Sequence, residues 1–106
     1  MSTKLERGEL NRLFIQEILH GKLQSARELY YKGASPNAAD KNGRTVLMIA
    51  AEQNRADIID FLVEKGAFLG DETVGGETAL SIAHKWDRTD AIAVLELAPY
   101  RFGTIY

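Results

Sequence analysis

The chain has 106 residues, with 13 lysines and arginines against 15 aspartates and glutamates and no cysteine; this length predicts one domain, and 45% hydrophobic residues predict a globular one. A net charge of −2 without a dense basic run argues against a nucleic-acid partner, and the lack of cysteine excludes disulfides, a thiolate nucleophile and a cysteine-based zinc site. No apolar stretch approaches the roughly 20 residues of a membrane span, and residues 1–8 are too polar for a secretory signal, so we expect a cytoplasmic protein without membrane contact.

The predicted elements are helix pairs that recur every 33 residues. Setting residues 43–62 on residues 76–95 aligns identical residues without a gap. The main identities are Gly43 with Gly76, Thr45 with Thr78, Leu47 with Leu80, Ile49 with Ile82, Ala50 with Ala83, Arg55 with Arg88, Asp57 with Asp90, Ile59 with Ile92 and Leu62 with Leu95. A single helix pair cannot bury both of its faces, so this repeat predicts a solenoid of stacked units.

The first unit, at about residues 7–39, begins with a helix predicted around residues 12–20. Its outer positions Glu17, Ser25 and Glu28 are polar where an internal unit would be apolar. Terminal repeats need a polar outer face for solubility. We therefore expect this unit to cap the array.

The second unit, at about residues 40–72, is the complete one. The sequence Asp-Lys-Asn-Gly at residues 40–43 predicts a type I turn at a hairpin tip. Thr45 is the predicted N-cap of the first helix, and Asn54 stands where a left-handed residue is needed. A second helix is predicted from about Ala56.

The third unit, at about residues 73–98, has polar His84 and Glu96 at two outer positions, which predicts a second cap. Pro99 is predicted to end its last helix. Residues 1–98 would then form the single domain, and residues 99–106 an aromatic tail. That tail either covers the exposed end of the array or engages a partner.

These residues resemble ankyrin repeats. The period of 33, the pattern Asp-x-x-Gly-x-Thr-x-Leu-x-x-Ala-Ala at residues 40–51 and Lys-Gly-Ala-Ser-Pro-Asn-Ala at residues 32–38 are similar to that family over roughly residues 10–98. The resemblance implies an all-α solenoid of helix–loop–helix pairs joined by β-hairpin-like turns, with polar terminal capping repeats. The usual Thr-Pro-Leu-His reads Thr-Val-Leu-Met from Thr45 and Thr-Ala-Leu-Ser from Thr78. This departure predicts a weaker joint between hairpin and helix.

No constellation of residues predicts catalysis or metal binding. His20 and His84 lie about two units apart, so neither a shared metal nor a nucleophile–base pair is expected. The glycine-rich segment 70–76 lacks the lysine of a phosphate loop and is interpreted as a hairpin. Asp57 and Asp60 are interpreted as a solvated helix face. We expect no enzyme, no cofactor and no metal.

The resemblance implies a protein partner, because in the family the hairpin tips and the exposed side of the first helices line a concave groove that usually grips another protein. The expected partner-binding residues are Trp86, Gln53, His20, Glu52, Lys85, Lys41, Asn42, Arg44 and Glu77. Tryptophan is enriched in binding hot spots, so Trp86 either contacts the partner or packs on the tail, or does both. The mixed charges predict a polar epitope, with about 800 Å² or less buried per partner.

The sequence therefore predicts a non-catalytic interaction module, acting as an inhibitor or a small regulatory subunit. We expect a monomer. The alternative is a structural protein that associates with itself by burying Phe14, Ile15 or the aromatic tail. Phe68 and Leu69 either pin the second hairpin or form an apolar knob at its tip.

Overall fold

The computed structural model describes residues 5–102, and of Phe102 only the backbone. This part of the chain forms six helices. They are α1 (Arg7–Leu19), α2 (Leu23–Lys32), α3 (Val46–Glu52), α4 (Ala56–Glu64), α5 (Ala79–Lys85) and α6 (Thr89–Phe102). The first and second helices of the last two units begin 33 residues apart, as the sequence repeat predicted.

The three helix pairs stack in two layers. Helices α1, α3 and α5 lie side by side in the first layer, and α4 packs against α6 in the second. Helix α2 meets α4 through aromatic side chains, since the rings of Tyr30 and Phe61 pack edge to face with centroids 5.7 Å apart. Each helix pair therefore contacts its neighbour in both layers.

The central helix pair forms the core of the array. Every residue of α3 from Val46 to Ala51 is buried, whereas α2 buries only Ala26. The outer units bury one face each because nothing in the described part of the chain stacks beyond them. Glu28 and Glu96 are exposed on these outer faces, as a capping repeat requires.

The turns adopt the geometry that the sequence predicted. Asn54 takes a left-handed conformation with φ 59°, and Asp87, its counterpart 33 residues later, does the same with φ 53°. At the first hairpin tip, Gly43 donates its backbone N–H to the carbonyl of Asp40 at 3.0 Å. Gly43 has φ 79°, and a side chain is strained in this conformation.

The joints between hairpin and helix keep reciprocal caps without the histidine of the ankyrin pattern. Met48 donates its N–H to Thr45 Oγ1 at 3.2 Å, and its Sδ accepts the Thr45 N–H at 3.4 Å. Ser81 makes the same two contacts with Thr78 at 3.1 and 2.8 Å. A hydroxyl oxygen is a better acceptor than a thioether, so the capping box is stronger in the third unit.

Helix α1 begins earlier than predicted, at Arg7 instead of near Arg12. Leu10 explains the extension, because it lies one turn before Phe14 and two turns before Ile18, and all three are buried. The apolar stripe therefore continues toward the N-terminus by one helical turn.

Helix α6 continues through Pro99, so the prediction that this proline ends the helix was wrong. Proline removes the helical N–H that would reach the carbonyl of Leu95. Before the proline, Ala98 is fully buried against the core; beyond it, Arg101 Nη1 donates to Asp60 Oδ1 of α4 at 2.9 Å. The division of the chain after residue 98 stays a prediction.

The described part of the aromatic tail does not cover the array. Tyr100 is 86% exposed, and it lies on the last turns of α6. Residues 103–106, on which the two interpretations of the tail also depend, lie outside the described residues. None of the six helices is both long enough and apolar enough to cross a membrane.

Candidate protein-binding groove

The candidate groove consists of the two hairpin tips, residues 40–44 and 73–77, and the exposed sides of α1, α3 and α5. His20, Gln53 and Trp86 occupy the same place in successive units, since each directly follows the first helix of its unit. The structure thus places these three predicted residues in one row.

Within this row Trp86 is the largest side chain, and 48% of its surface is exposed. The ammonium group of Lys85 lies 5.4 Å from the centroid of its ring, close enough for a cation–π contact. Gln53 is more enclosed, because its Nε2 donates to the carbonyl of Leu19 at 2.6 Å and its Oε1 is buried. Gln53 therefore ties two units together on the floor of the groove.

Two ion pairs of opposite polarity occupy equivalent places in neighbouring units. Arg44 pairs with Glu52 between the first hairpin and α3. Glu77 pairs with Lys85 between the second hairpin and α5, with a distance of 3.4 Å between Lys85 Nζ and Glu77 Oε2. Each basic residue in one pair corresponds to an acidic residue in the other, so the groove carries balanced charge.

The two hairpin tips contact each other directly. Val74 donates its backbone N–H to the carbonyl of Asn42 at 3.2 Å. The cleft between the tips has a volume of about 420 Å³ and is lined mainly by polar residues. Lys41 and Asn42 are exposed beside it, and Val74 is 87% exposed at the second tip. The tips therefore present an apolar side chain, Val74, which is not among the nine residues expected to bind the partner.

Two arginines that tie the units together were not predicted as part of the site. Arg55 Nη1 donates to the carbonyl of Gly21 at 2.7 Å, and Arg88 Nε donates to the carbonyl of Glu52 at 2.6 Å. The sequence did carry a signal for this role, because the same residue type, arginine, occurs at both positions, 33 residues apart. These bonds tie the end of α1 to the second unit and the end of α3 to the third unit.

On α4, Asp57 is exposed and Asp60 is half-buried, and both are engaged in ion pairs. Asp57 receives two hydrogen bonds from the guanidinium of Arg55, at 3.0 and 2.8 Å. These bonds lower the pKa of Asp57 and raise the pKa of Arg55. Asp60 pairs with Arg101. The sequence predicted that Asp57 and Asp60 lie on a solvated helix face. In the structure each of these two carboxylates also has an arginine partner.

Asp57→Asn is expected to weaken the pH dependence of stability in acid. Because folding lowers the pKa of Asp57, its contribution to stability is present above the pKa of the unfolded chain, about 3.9. That contribution is lost as the pH falls through the folded value. Urea unfolding from about pH 7 to about pH 3 should show a smaller loss of stability for the variant than for the wild type. Parallel curves for the two proteins would contradict the expected role of this pair.

Each of the two histidines lies near one glutamate of its own unit. His20 Nδ1 lies 4.0 Å from Glu17, and His84 Nε2 lies 3.9 Å from Glu96, in the first and third units respectively. Among residues 5–102 no group of histidines and acids is arranged to hold a metal ion. The glycine-rich segment forms the second hairpin, where the Thr73 N–H donates to the carbonyl of Glu77 at 2.9 Å.

Phe68 and Leu69 have different environments. The Phe68 N–H donates to Asn37 Oδ1 at 2.8 Å, but its side chain is 45% exposed. Leu69 packs partly buried against the core. Leu69 therefore pins the second hairpin, and Phe68 leaves an apolar side chain on the surface.

Comparison with known proteins gives two findings. Residues 14–98 match a family model described as ankyrin repeats, in three copies. An ankyrin repeat-containing protein of Schizosaccharomyces pombe is 40% identical over 53 residues, which make up 50% of this chain and 26% of that protein. The chain thus spans about a quarter of the length of this relative.

Proposed function

The chain belongs to the ankyrin-repeat family, and from that premise we propose that it is a non-catalytic module that binds one protein through the groove. Ankyrin repeats are generally protein–protein interaction modules. In this proposal the chain acts by occupying a surface of its partner, as an inhibitor or a small regulatory subunit. The nine groove residues predicted from the sequence form the contact surface.

The observation that carries this proposal is the position of Trp86. A large aromatic side chain stays half exposed on the floor of the groove, beside the ion pair of Lys85 and Glu77. Covering its free surface would contribute about 25 cal/mol for each Å² of apolar area. The surrounding polar groups would form the rim that excludes water from such a contact.

The proposal also says which classes of partner the groove does not bind, and that the chain is a monomer. Two acidic and two basic groove residues pair within the chain, so their charges largely cancel and give a polyanion such as a nucleic acid little net attraction. We propose a cytoplasmic monomer that contacts neither nucleic acid nor membrane.

Trp86→Ala is expected to abolish capture of the partner from a lysate of the native host. Wild type and variant are immobilised side by side, and the retained proteins are identified by mass spectrometry. Tyr31→Ala is the matched control, because Tyr31 is an exposed aromatic residue on α2, outside the groove, with 65% of its surface accessible. A partner retained by the wild type and the control, and lost from folded Trp86→Ala, supports the proposal. A partner retained equally by all three proteins would refute the groove assignment.

Self-association remains the alternative function, and one cavity favours it. An apolar cavity of about 630 Å³ lies at the end of the array, with Leu80 and Leu95 in its lining. The equivalent of Leu80 in the second unit, Leu47, is buried in the stacked core. The N-terminal surface suggested for stacking is not available at Phe14, which is fully buried within the chain. A mass in solution that rises with concentration would support this alternative.

A further inference from the structure

We propose that residues 103–106 fold back over the third unit and place Ile105 and Tyr106 in the apolar cavity at the end of the array. The tail then covers the surface on which a fourth unit would stack, and it keeps a second copy of the chain from stacking there. This inference goes beyond the protein-binding function and does not depend on it, because the described residues that line the cavity include none of the nine expected groove residues.

The cavity is an unfinished part of the core. Leu80 and Leu95 line it together with Leu69, which follows α4. In the second unit the equivalents of Leu80 and Leu95, which are Leu47 and Leu62, are 1% and 0% exposed, because α3 packs against α5 and α4 packs against α6. Within residues 5–102 no further helix pair packs on the third unit in this way. The volume of about 630 Å³ lies within the range of about 300–1,000 Å³ of pockets that enclose a ligand.

The tail begins at the edge of this cavity. Pro99 and Tyr100, on the last turns of α6, belong to its lining. Phe102, the last described residue, follows Pro99 by three positions, which is about 4.5 Å along a helix. The four residues after Phe102 span about 13 Å when extended. A segment that turns back at the first of these residues can therefore reach the cavity.

The two earlier helices of the second layer end with such a reversal. Gly33 follows α2 and Gly66 follows α4, with φ 123° and 103°. The next residues, Ala34 and Ala67, are 4% and 1% exposed, so the chain turns back onto the core after each glycine. Ala67 also donates its N–H to the carbonyl of Leu62 at 2.9 Å. This hydrogen bond is typical of helices that end at a left-handed glycine.

The sequence after α6 has the same signal one helical turn later. Gly103 directly follows Phe102, and it stands four positions after Pro99, the equivalent of Gly66 at the repeat spacing of 33. A helical turn takes about 3.6 residues, so a shift of four positions brings Gly103 to nearly the same side of the helix as Pro99. Because Pro99 lines the cavity, a chain that turns back at Gly103 turns toward it.

The side chains that follow Gly103 suit the cavity. Counted from the glycine, Ile105 and Tyr106 correspond to Phe68 and Leu69 after Gly66, and Leu69 packs against the core. Ile105 is apolar, as is most of the lining, and a tyrosine combines an apolar ring with a polar tip. Glu96 lies in the lining with 56% of its side chain exposed. Its carboxylate can accept a hydrogen bond from the phenol of Tyr106.

Covalent attachment favours the tail over a second copy as the occupant. A segment that is joined to its site by a short linker has an effective concentration on the order of millimolar. A second copy must compete with that concentration, and it also loses translational and rotational freedom when it binds. The tail therefore fills the cavity at the lower concentrations at which the chain is a monomer.

The direct test is nuclear Overhauser spectroscopy on the full chain with labelled isoleucine and leucine methyl groups. A dilute sample should show contacts from Ile105 to the methyl groups of Leu80 and Leu95, and from the ring of Tyr106 to the same residues. A mixture of labelled and unlabelled chains separates contacts within one chain from contacts between two. Contacts that occur only between chains would assign the cavity to a second copy and overturn the inference. Equally, the inference fails when neither tail residue contacts the cavity.

The double variant Ile105→Ser/Tyr106→Ser gives a second readout. It should shift the methyl resonances of Leu80 and Leu95, increase the fluorescence of a dye that binds exposed apolar surface, and give a mass in solution that rises with concentration. Leu97→Ser is the matched control, because Leu97 is 55% exposed on α6 and does not belong to the described lining of the cavity. The control should show none of these changes. Circular dichroism checks that both variants are folded, and a double variant that behaves like the wild type would refute the inference.

Discussion

Leu47→Ala is expected to lower the free energy of unfolding by about 3 kcal/mol. Leu47 lies in α3, is 1% exposed, and belongs to the helix that contacts both α1 and α5. Removal of its side chain leaves a cavity that the stacked neighbours cannot close without separating from each other. Small domains have a stability of about 5–15 kcal/mol, so this variant should be near the limit of folding. Equilibrium unfolding in urea measures the difference.

The internal repeat supplies a control with the same chemistry. Leu80 occupies the equivalent position in the third unit, but it is only partly buried because nothing among residues 5–102 stacks on its outer side. We expect Leu80→Ala to cost about 1 kcal/mol. Equal losses for Leu47→Ala and Leu80→Ala would show that stacking on α3 does not determine the stability of the array.

Ala50→Leu is expected to destabilise the chain by about 3 kcal/mol through overpacking. Ala50 is fully buried in α3, where a small side chain lets the neighbouring helices approach closely. A leucine there must either adopt a strained rotamer or push the adjacent units apart. Because a displaced unit also loses its inter-unit hydrogen bonds, thermal unfolding should begin at a lower temperature and become less cooperative.

Glu17→Leu is the matched control for this overpacking. Glu17 is the equivalent residue of the first unit, and its side chain is 27% exposed. A leucine at this position can extend toward solvent, so the change in stability should stay within about 0.5 kcal/mol. A loss at Glu17 as large as that at Ala50 would indicate a general intolerance of leucine on the first helices and not a packing constraint at α3.

The local features of the fold were predictable from the sequence because they depend on contacts within a few residues. The N-cap at Thr45, the left-handed Asn54 and the turn ending at Gly43 were all predicted and are all present. Such predictions are secure when a residue type that suits one local geometry occurs again 33 positions later. The sequence then specifies the same turn more than once.

The contacts of the groove were only partly predictable. The sequence alignment placed equivalent residues of successive units in rows, but it did not reveal that Arg44 pairs with Glu52 or that Glu77 pairs with Lys85 in reversed polarity. Nor did it reveal that Arg55 reaches the carbonyl of Gly21 in the preceding unit. Long side chains have several partners within reach along a solenoid, and the choice depends on how closely the units stack.

The sequence by itself determined the number of units, their order and the capping character of the two ends, because each of these follows from local turns and the hydrophobic pattern. The tertiary structure decided which charges pair across the groove and how far the last helix extends. Pro99 alone predicts a helix end, yet α6 continues because Ala98 is buried and Arg101 bonds to Asp60 on the neighbouring helix. Such contacts join residues that are distant in the chain, so they exist only once the units have stacked.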